Sequence, residues 1–354
     1  MEVMAKPGSR LVLRVPKLGL SKVWDVGRIR FHPAYTASGL ITPALDELAE
    51  PERLKVEGLV REKATEFDRS AVAEVTADSI DQAITLVEGG LAALRAVQHI
   101  QNPMSYGRDQ TFGLPGQVMS ATLGYWDLTE GLALGWRRRG APAGWNFSDA
   151  SHHAWSTDPA FRFIHEALLQ AEADPTPLQR RTLVAIDLLS QAWLSWQPDV
   201  ALLNSVMALE ALLGEAEDGP KKFRLARRVC YFVCGHPGDP YAVSQRPACR
   251  LMTLPLTKNG RPGPELQQLI EEVRAEDARG LNCTYFFDVM EIYDARNTLG
   301  HGGRLGLSAT QADQATWFIP SILLRPLFSW CAEHPDAELA ELDTEIDSLP
   351  RMTA

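Results

Sequence analysis

The sequence lacks the signatures that most readily name a chemistry. It has no GxxxxGK[ST] loop to cradle a nucleotide phosphate, no GxSxG elbow to present a serine, and no HExxH pair to bind zinc. No stretch approaches the ~20 apolar residues needed to span a bilayer. The N-terminus alternates charged with apolar residues instead of carrying a signal-type apolar run. Cysteine is scarce: Cys230, Cys234, Cys249, Cys283 and Cys331 form no CxxC pair, and the four-residue spacing of Cys230 and Cys234 suits core packing better than metal ligation. A positive balance is missing too. With 35 Lys+Arg against 45 Asp+Glu, the net charge of −10 excludes a chain that coats itself in nucleic acid nonspecifically, but leaves room for a local basic site. The expectation is a reduced, cytoplasmic, soluble protein with no membrane partner.

What is present is an ordinary globular balance of 45% hydrophobic and 23% charged residues over 354 positions, enough for two domains. Residues 1–157 read as a mixed α/β domain. Strands are expected over 10–15, 53–60 and 71–75, where apolar and charged residues interleave. A helix follows, opened by Ser79 and Gln82 as a capping box, with Ile80, Ile84, Val87, Leu91 and Leu94 on one face and Gly89-Gly90 weakening it. Residues 125–128 and 132–136 suit short strands, and the segment from Pro142 to Pro159 reads as a linker.

Residues 158–334 read as an all-α bundle, making the whole α+β. Helices are expected over 161–171, 178–196, 200–213, 220–234, 265–279, 284–299 and 309–330, with Pro320 and Pro326 kinking or splitting the last. The Pro/Gly-rich stretch 236–264 is long for a loop. Residues 335–354 read as an acidic, weakly ordered tail.

The densest chemistry lies in Tyr293-Asp294-Ala295-Arg296-Asn297-Thr298-Leu299-Gly300-His301-Gly302-Gly303. Here a permanent cation, a carboxamide and an imidazole sit at the end of a helical pattern. Asn297 and His301, four apart, share a helix face, and the long Arg296 stem reaches the same side. Glu210 stands on an apolar helix face, where a carboxylate needs a partner. Arg224, Arg227 and Arg228 on the next helix are candidates. Lys221, Arg224 and Arg228 fall on one face, with Lys222 nearby, a stripe suited to an RNA backbone or to plain solvation. His152-His153 with Asp149 and Asp158 suggest a metal at first sight, but adjacent side chains diverge. Arg137-Arg138-Arg139 reads as surface, and Trp193, Trp196, Trp317 and Trp330 read as core.

The segment Arg296-x4-His301, with Asn297 following the arginine and Gly302 following the histidine, resembles the Rx4-6H motif of HEPN domains, most of all the Apea-like branch. Met207-Ala208-Leu209-Glu210-Ala211-Leu212-Leu213-Gly214 resembles that branch's preceding helix, and Arg224 to Val233 its arginine-containing successor; together the likeness spans 178–330. The resemblance implies a helical endoribonuclease that needs no metal or other cofactor, works as a homodimer with a composite site, and belongs to toxin or antiviral-defence systems with an antitoxin or sensor partner. It implies catalytic roles for Arg296, Asn297 and His301, with Glu210 behind Arg296. His301 would be the base for the 2′-hydroxyl and Arg296 the phosphate clamp. Each chain supplies one such histidine, and in-line displacement wants acid and base on opposite sides, which favours two-fold pairing. The alternatives are a HEPN module that binds RNA or a partner without cutting, and a structural scaffold. Without the family, a helix terminus with an arginine and a histidine favouring its dipole accounts for the same residues.

Overall fold

The computed structural model describes residues 8–36, 39–40, 50, 54, 70–101, 112–114, 121–127, 132–139, 145–195, 197–214, 221–233, 251, 256, 261–277, 284–301, 316 and 319–349. Their contacts divide into two compact units, one of Met1–Val97 with Ser105–Phe161 and the other of Gln98–Met104 with Arg162–Ala354. The class is α+β: strands gather in the N-terminal part and helices dominate the rest.

In the first unit β1 (Ser9–Pro16), β6 (Ser70–Ala77), β4 (Ile29–Thr36) and β3 (Trp24–Val26) form an antiparallel sheet in the order β1-β6-β4-β3, and β5 (Gly39–Leu40) also pairs with β4. Strand β2 (Leu18–Leu20) pairs in parallel with β9 (Trp145–Phe147), and β7 (Ala121–Asp127) pairs antiparallel with β8 (Leu132–Arg139). Of the strand expected over 53–60 only Leu54 is described, in helical conformation; the rest lies outside the described residues. Arg137 to Arg139 fall in β8.

Helix α1 (Ile80–Gln101) starts where expected. Ser79 Oγ accepts the Gln82 N–H at 3.1 Å, while the Gln82 side chain turns back to the Asp78 N–H at 2.7 Å. Gly90 has a positive reason to be glycine. A Cβ there would lie 3.0 Å from Ile29 Cδ1 and 3.3 Å from the Phe31 ring, so the missing side chain lets the helix approach the sheet.

The linker expected from Pro142 to Pro159 is corrected: it contains β9 and helix α2 (Asp149–Thr157). Aromatic burial explains why. Trp24 packs against Phe147 and Trp155, with centroids 4.9 and 5.8 Å apart, and Trp155 donates its indole N–H to the Asp25 carbonyl. These rings anchor the segment that proline and glycine made look like a spacer. His152 rests edge-on against Trp24, and burial, then the Lys22 charge, lower its pKa.

The helices of the second part are α3 (Pro159–Gln170), α4 (Pro177–Leu194), α5 (Pro198–Leu213), α6 (Lys221–Val233), α7 (Pro264–Asp277), α8 (Thr284–Gly300), α9 (Ile319–Glu333) and α10 (Leu339–Ser348). Thr176 and Gln179 close a full capping box at the start of α4, with Pro177 in the first turn. Trp193, Trp330 and Cys230 are buried, as core residues should be; Trp196, Trp317, Cys234, Cys249 and Cys283 lie outside the described residues. Pro320 sits in the first turn of α9, where a missing N–H costs nothing, and Pro326 lies inside that helix.

The acidic, weakly ordered tail expected over 335–354 is corrected as far as residue 349, and 350–354 lie outside the described residues. Helix α10 buries Leu339, Leu342 and Ile346 at i, i+3, i+7, and its carboxylates face inward-pointing donors. Asp343 takes both Nε and a terminal nitrogen of Arg228, at 2.8 and 2.6 Å. Arg227 reaches Asp347 at 2.7 Å, and Glu345 accepts the Tyr231 hydroxyl at 2.6 Å and the Trp330 indole N–H at 3.0 Å. The acidity that suggested solvation serves to bind α6.

Candidate functional site

The site grows out of the end of α5. Pro198 opens this helix and Leu202, Val206, Leu209 and Leu213 bury one side. Its last carbonyls would be orphans, but two arginines cover them. Arg181 from α4 donates to Ala211 O at 3.1 Å and Gly214 O at 2.6 Å, and Arg228 from α6 donates to Leu213 O. Positive charge at a helix C-terminus also complements its dipole. Gly214 closes on the Glu210 carbonyl, and any Cβ at that position would collide with it. The end of α5 is thereby fixed, and with it the side chain of Glu210.

Helix α8 packs against α5 and α6, burying Phe286, Val289, Met290 and Ile292. Its last turns carry Tyr293, Arg296 and Asn297, all half-buried, and the chain turns at His301, whose N–H closes onto Asn297 O at 3.1 Å. One terminal nitrogen of Arg296 forms an ion pair with Glu210 Oε2 at 3.1 Å, and the other donates a hydrogen bond to Asn297 Oδ1 at 3.0 Å. Burial, then the Glu210 charge, push the Tyr293 pKa up, with Arg296 pulling the other way. On α6, Lys222 holds Asp294 of α8 through both carboxylate oxygens, at 2.9 and 3.1 Å.

Two electrostatic features stand out. The guanidinium is engaged end-on, by its two terminal nitrogens, and its Nε–H is buried with no hydrogen-bond partner. An unmatched buried donor costs about 1–3 kcal/mol, so this arrangement does not maximise ion pairing. With one lone pair of Oδ1 taken by Arg296, Asn297 still has both amide donors to offer. The cluster is therefore a donor surface suited to an anionic oxygen.

The residues singled out in the sequence divide cleanly. Glu210, Arg296 and Asn297 meet, and Glu210 pairs with none of Arg224, Arg227 and Arg228. His301 stands exposed one residue past α8, on the Asn297 face. Lys221 is exposed at the start of α6, and Arg224 lies 3.8 Å from Asp343. Arg228 is corrected: it is 0% exposed and saturated by Asp343 and backbone carbonyls, so it cannot touch RNA. The stripe Lys221-Arg224-Arg228 does share a face, but α10 covers its far end. The sequence reading counted Tyr293 among core positions, whereas it is half-buried and feels the charges of Glu210 and Arg296. The i, i+4, i+8 spacing of Tyr293, Asn297 and His301 was the available signal.

Among the described residues no cluster of three or more His, Cys, Asp or Glu side chains is arranged to hold a metal ion, and no helix is long and apolar enough to cross a membrane. No family model, curated protein or solved structure matches the chain.

Proposed function

We propose that this chain is a metal-independent endoribonuclease of the HEPN type, with Arg296, Asn297 and His301 as its working residues and Glu210 behind them. The observation that carries the reading is Arg296, held by Glu210 and Asn297 through its terminal nitrogens and left part-exposed, with an exposed His301 closing the end of the same helix. In this reading a scissile phosphate lies against the free edge of Arg296, and Asn297 donates a second hydrogen bond. His301 takes the proton of the neighbouring 2′-hydroxyl, for which an imidazole is suited near neutral pH. The 2′-oxygen attacks phosphorus and the 5′-oxygen leaves, giving a 2′,3′-cyclic phosphate and a 5′-hydroxyl. Arg296 stabilises the charge that builds on the phosphoryl oxygens, worth about 3–4 kcal/mol in comparable donor deletions. A second copy of the chain, related by a two-fold axis, supplies the acid for the leaving oxygen. Such a nuclease suits a regulated toxin or a defence system in which the N-terminal unit restrains or senses.

One observation favours a second reading, RNA or partner binding without cleavage: the Arg296–Glu210 ion pair joins α8 to α5 as a structural strut would. The two separate on incubation of wild type, Arg296→Ala and His301→Ala with total RNA in excess chelator, followed by end-group analysis. Cyclic-phosphate ends from wild type alone are the expected result. RNA retained on the protein with no cutting by wild type sinks the nuclease reading in favour of the binder.

A further inference from the structure

Helix α6 turns its cations two ways. Arg227 and Arg228 are buried under α10, held by Asp347 and Asp343. Lys222, in the first turn of α6, reaches α8 instead, where its ammonium meets both oxygens of Asp294 at 2.9 and 3.1 Å. This pair stays open to solvent, the Lys222 side chain 27% exposed and that of Asp294 56%. The ammonium also lies 5.5 Å from the centre of the Phe223 ring, whose face favours a cation. An exposed ion pair of this kind adds little to stability, because water screens it and two flexible side chains must be ordered to make it. What it does is fix a positive charge at a defined place on α8.

That place is aligned with the candidate site. Asp294, Thr298 and His301 stand at i, i+4 and i+7 and so line one face of α8. The Thr298 hydroxyl closes on the Asp294 carbonyl at 3.0 Å, and the His301 N–H closes on Asn297 O at 3.1 Å, so the helical turn holds as far as His301. Lys222 therefore marks one end of the face and His301 the other. Seven residues at ~1.5 Å each separate their levels by about 10 Å, the length of roughly three stacked nucleotides at ~3.4 Å each. A strand whose scissile phosphate sits beside His301 and which runs back along α8 brings a second phosphate to Lys222. In the free protein Asp294 supplies the anionic oxygens there. With a chain charge of −10 there is no general attraction for a polyanion, so single cations set its path.

We infer that Lys222 binds an RNA backbone phosphate within about three nucleotides of the scissile one, and that Asp294 is the internal anion it gives up on binding. The subsite rests on the reading of RNA as substrate; the exchange of Asp294 for a phosphate requires no cleavage.

The test uses the full chain and a single-stranded RNA with every 2′-hydroxyl methylated, which attack by a 2′-oxygen cannot cut. Affinity is measured across a salt series for wild type, Lys222→Gln, Asp294→Asn and the double variant, each checked for folding by its denaturation midpoint. Lys222→Gln is expected to weaken binding several-fold and to lower the slope of log affinity against log salt by about 0.7, the share of one single-strand phosphate. Asp294→Asn is expected to tighten binding, and most of that gain disappears in the double variant. Unchanged affinity and slope in Lys222→Gln, or a gain from Asp294→Asn undiminished without Lys222, overturn the proposal. Should Lys222→Gln fail to fold, Asp294→Asn decides, since it leaves Lys222 in place: tighter binding supports the subsite, and weaker or unchanged binding overturns it. Retention of poly-glutamate but not of RNA assigns Lys222 to an acidic protein partner and overturns it as well. Wild type that binds the methylated RNA yet leaves unmodified RNA whole removes the nuclease reading, while the same series still decides Lys222. Wild type that cuts RNA, with Lys222→Gln binding unchanged, removes the subsite and keeps the nuclease.

Discussion

Two arginine-carboxylate contacts in the helical part use the same parts to opposite ends. Between α6 and α10, Arg228 grips Asp343 side-on with two nitrogens, is fully buried, and has Tyr231 beside it donating to Glu345. Between α8 and α5, Arg296 meets Glu210 through one terminal nitrogen, and its side chain stays 32% exposed. The first contact satisfies its donors on protein and closes. The second leaves a buried donor unmatched and an edge uncovered. A contact optimised for holding looks like the former; one that keeps capacity for something outside the chain looks like the latter.

Mutations that remove one partner should separate them. Asp343→Ala leaves Arg228 buried without its counter-charge, and such losses cost about 3–5 kcal/mol; a large fall in the denaturation midpoint is expected, and a change of under about 1 kcal/mol would erase the contrast. Arg296→Ala should act on chemistry first. Cleavage falls by about 10²–10³, as for a lost charge-stabilising donor, while stability changes by only about 1–2 kcal/mol. Equal destabilisation by both substitutions would make Arg296 another strut.

A tyrosine beside the first contact sharpens the comparison at alkaline pH. Burial, then the hydrogen bond to Glu345, raise the Tyr231 pKa well above 10. The native state then keeps a proton that the unfolded chain releases at about 10, so this stabilisation is complete below that pH and is lost as pH rises through the native value. Tyr231→Phe should flatten the alkaline limb of stability, with a cost near neutral pH of about 1.5–3 kcal/mol for the lost hydrogen bond to a charged group. The smallest effect is expected outside both contacts. His152, kept neutral by burial and Lys22, contributes stability that is present above its ordinary 6.5 and lost as pH falls toward its lowered native value. His152→Gln should blunt that acid slope slightly and leave RNA cleavage unchanged.

Much of the helical half was legible because its rules are local. The spans 200–213 and 284–299 announced α5 and α8, and the proximity of Arg296 to Asn297 is built into one turn of helix. The misses share a cause. The block from Pro142 to Pro159 looked like a spacer because its aromatic partners, Trp24 above all, come from far along the chain. Helix α10 looked like a solvated tail because its acids are matched by Arg227, Arg228, Tyr231 and Trp330, none of them local. Arg228 looked like a surface cation for the same reason.

Sequence alone determined which polar side chains the end of α8 carries and their order, because the 3.6-residue period puts Tyr293, Asn297 and His301 on one face whatever the rest of the fold does. Tertiary structure decided which of the many arginines is sealed and which is left with donors to spare. Helix position sets a side chain's direction, but burial and partner depend on which distant helix arrives to cover it. Here α10 covers Arg228, while α5 brings Glu210 to Arg296 and stops at Gly214.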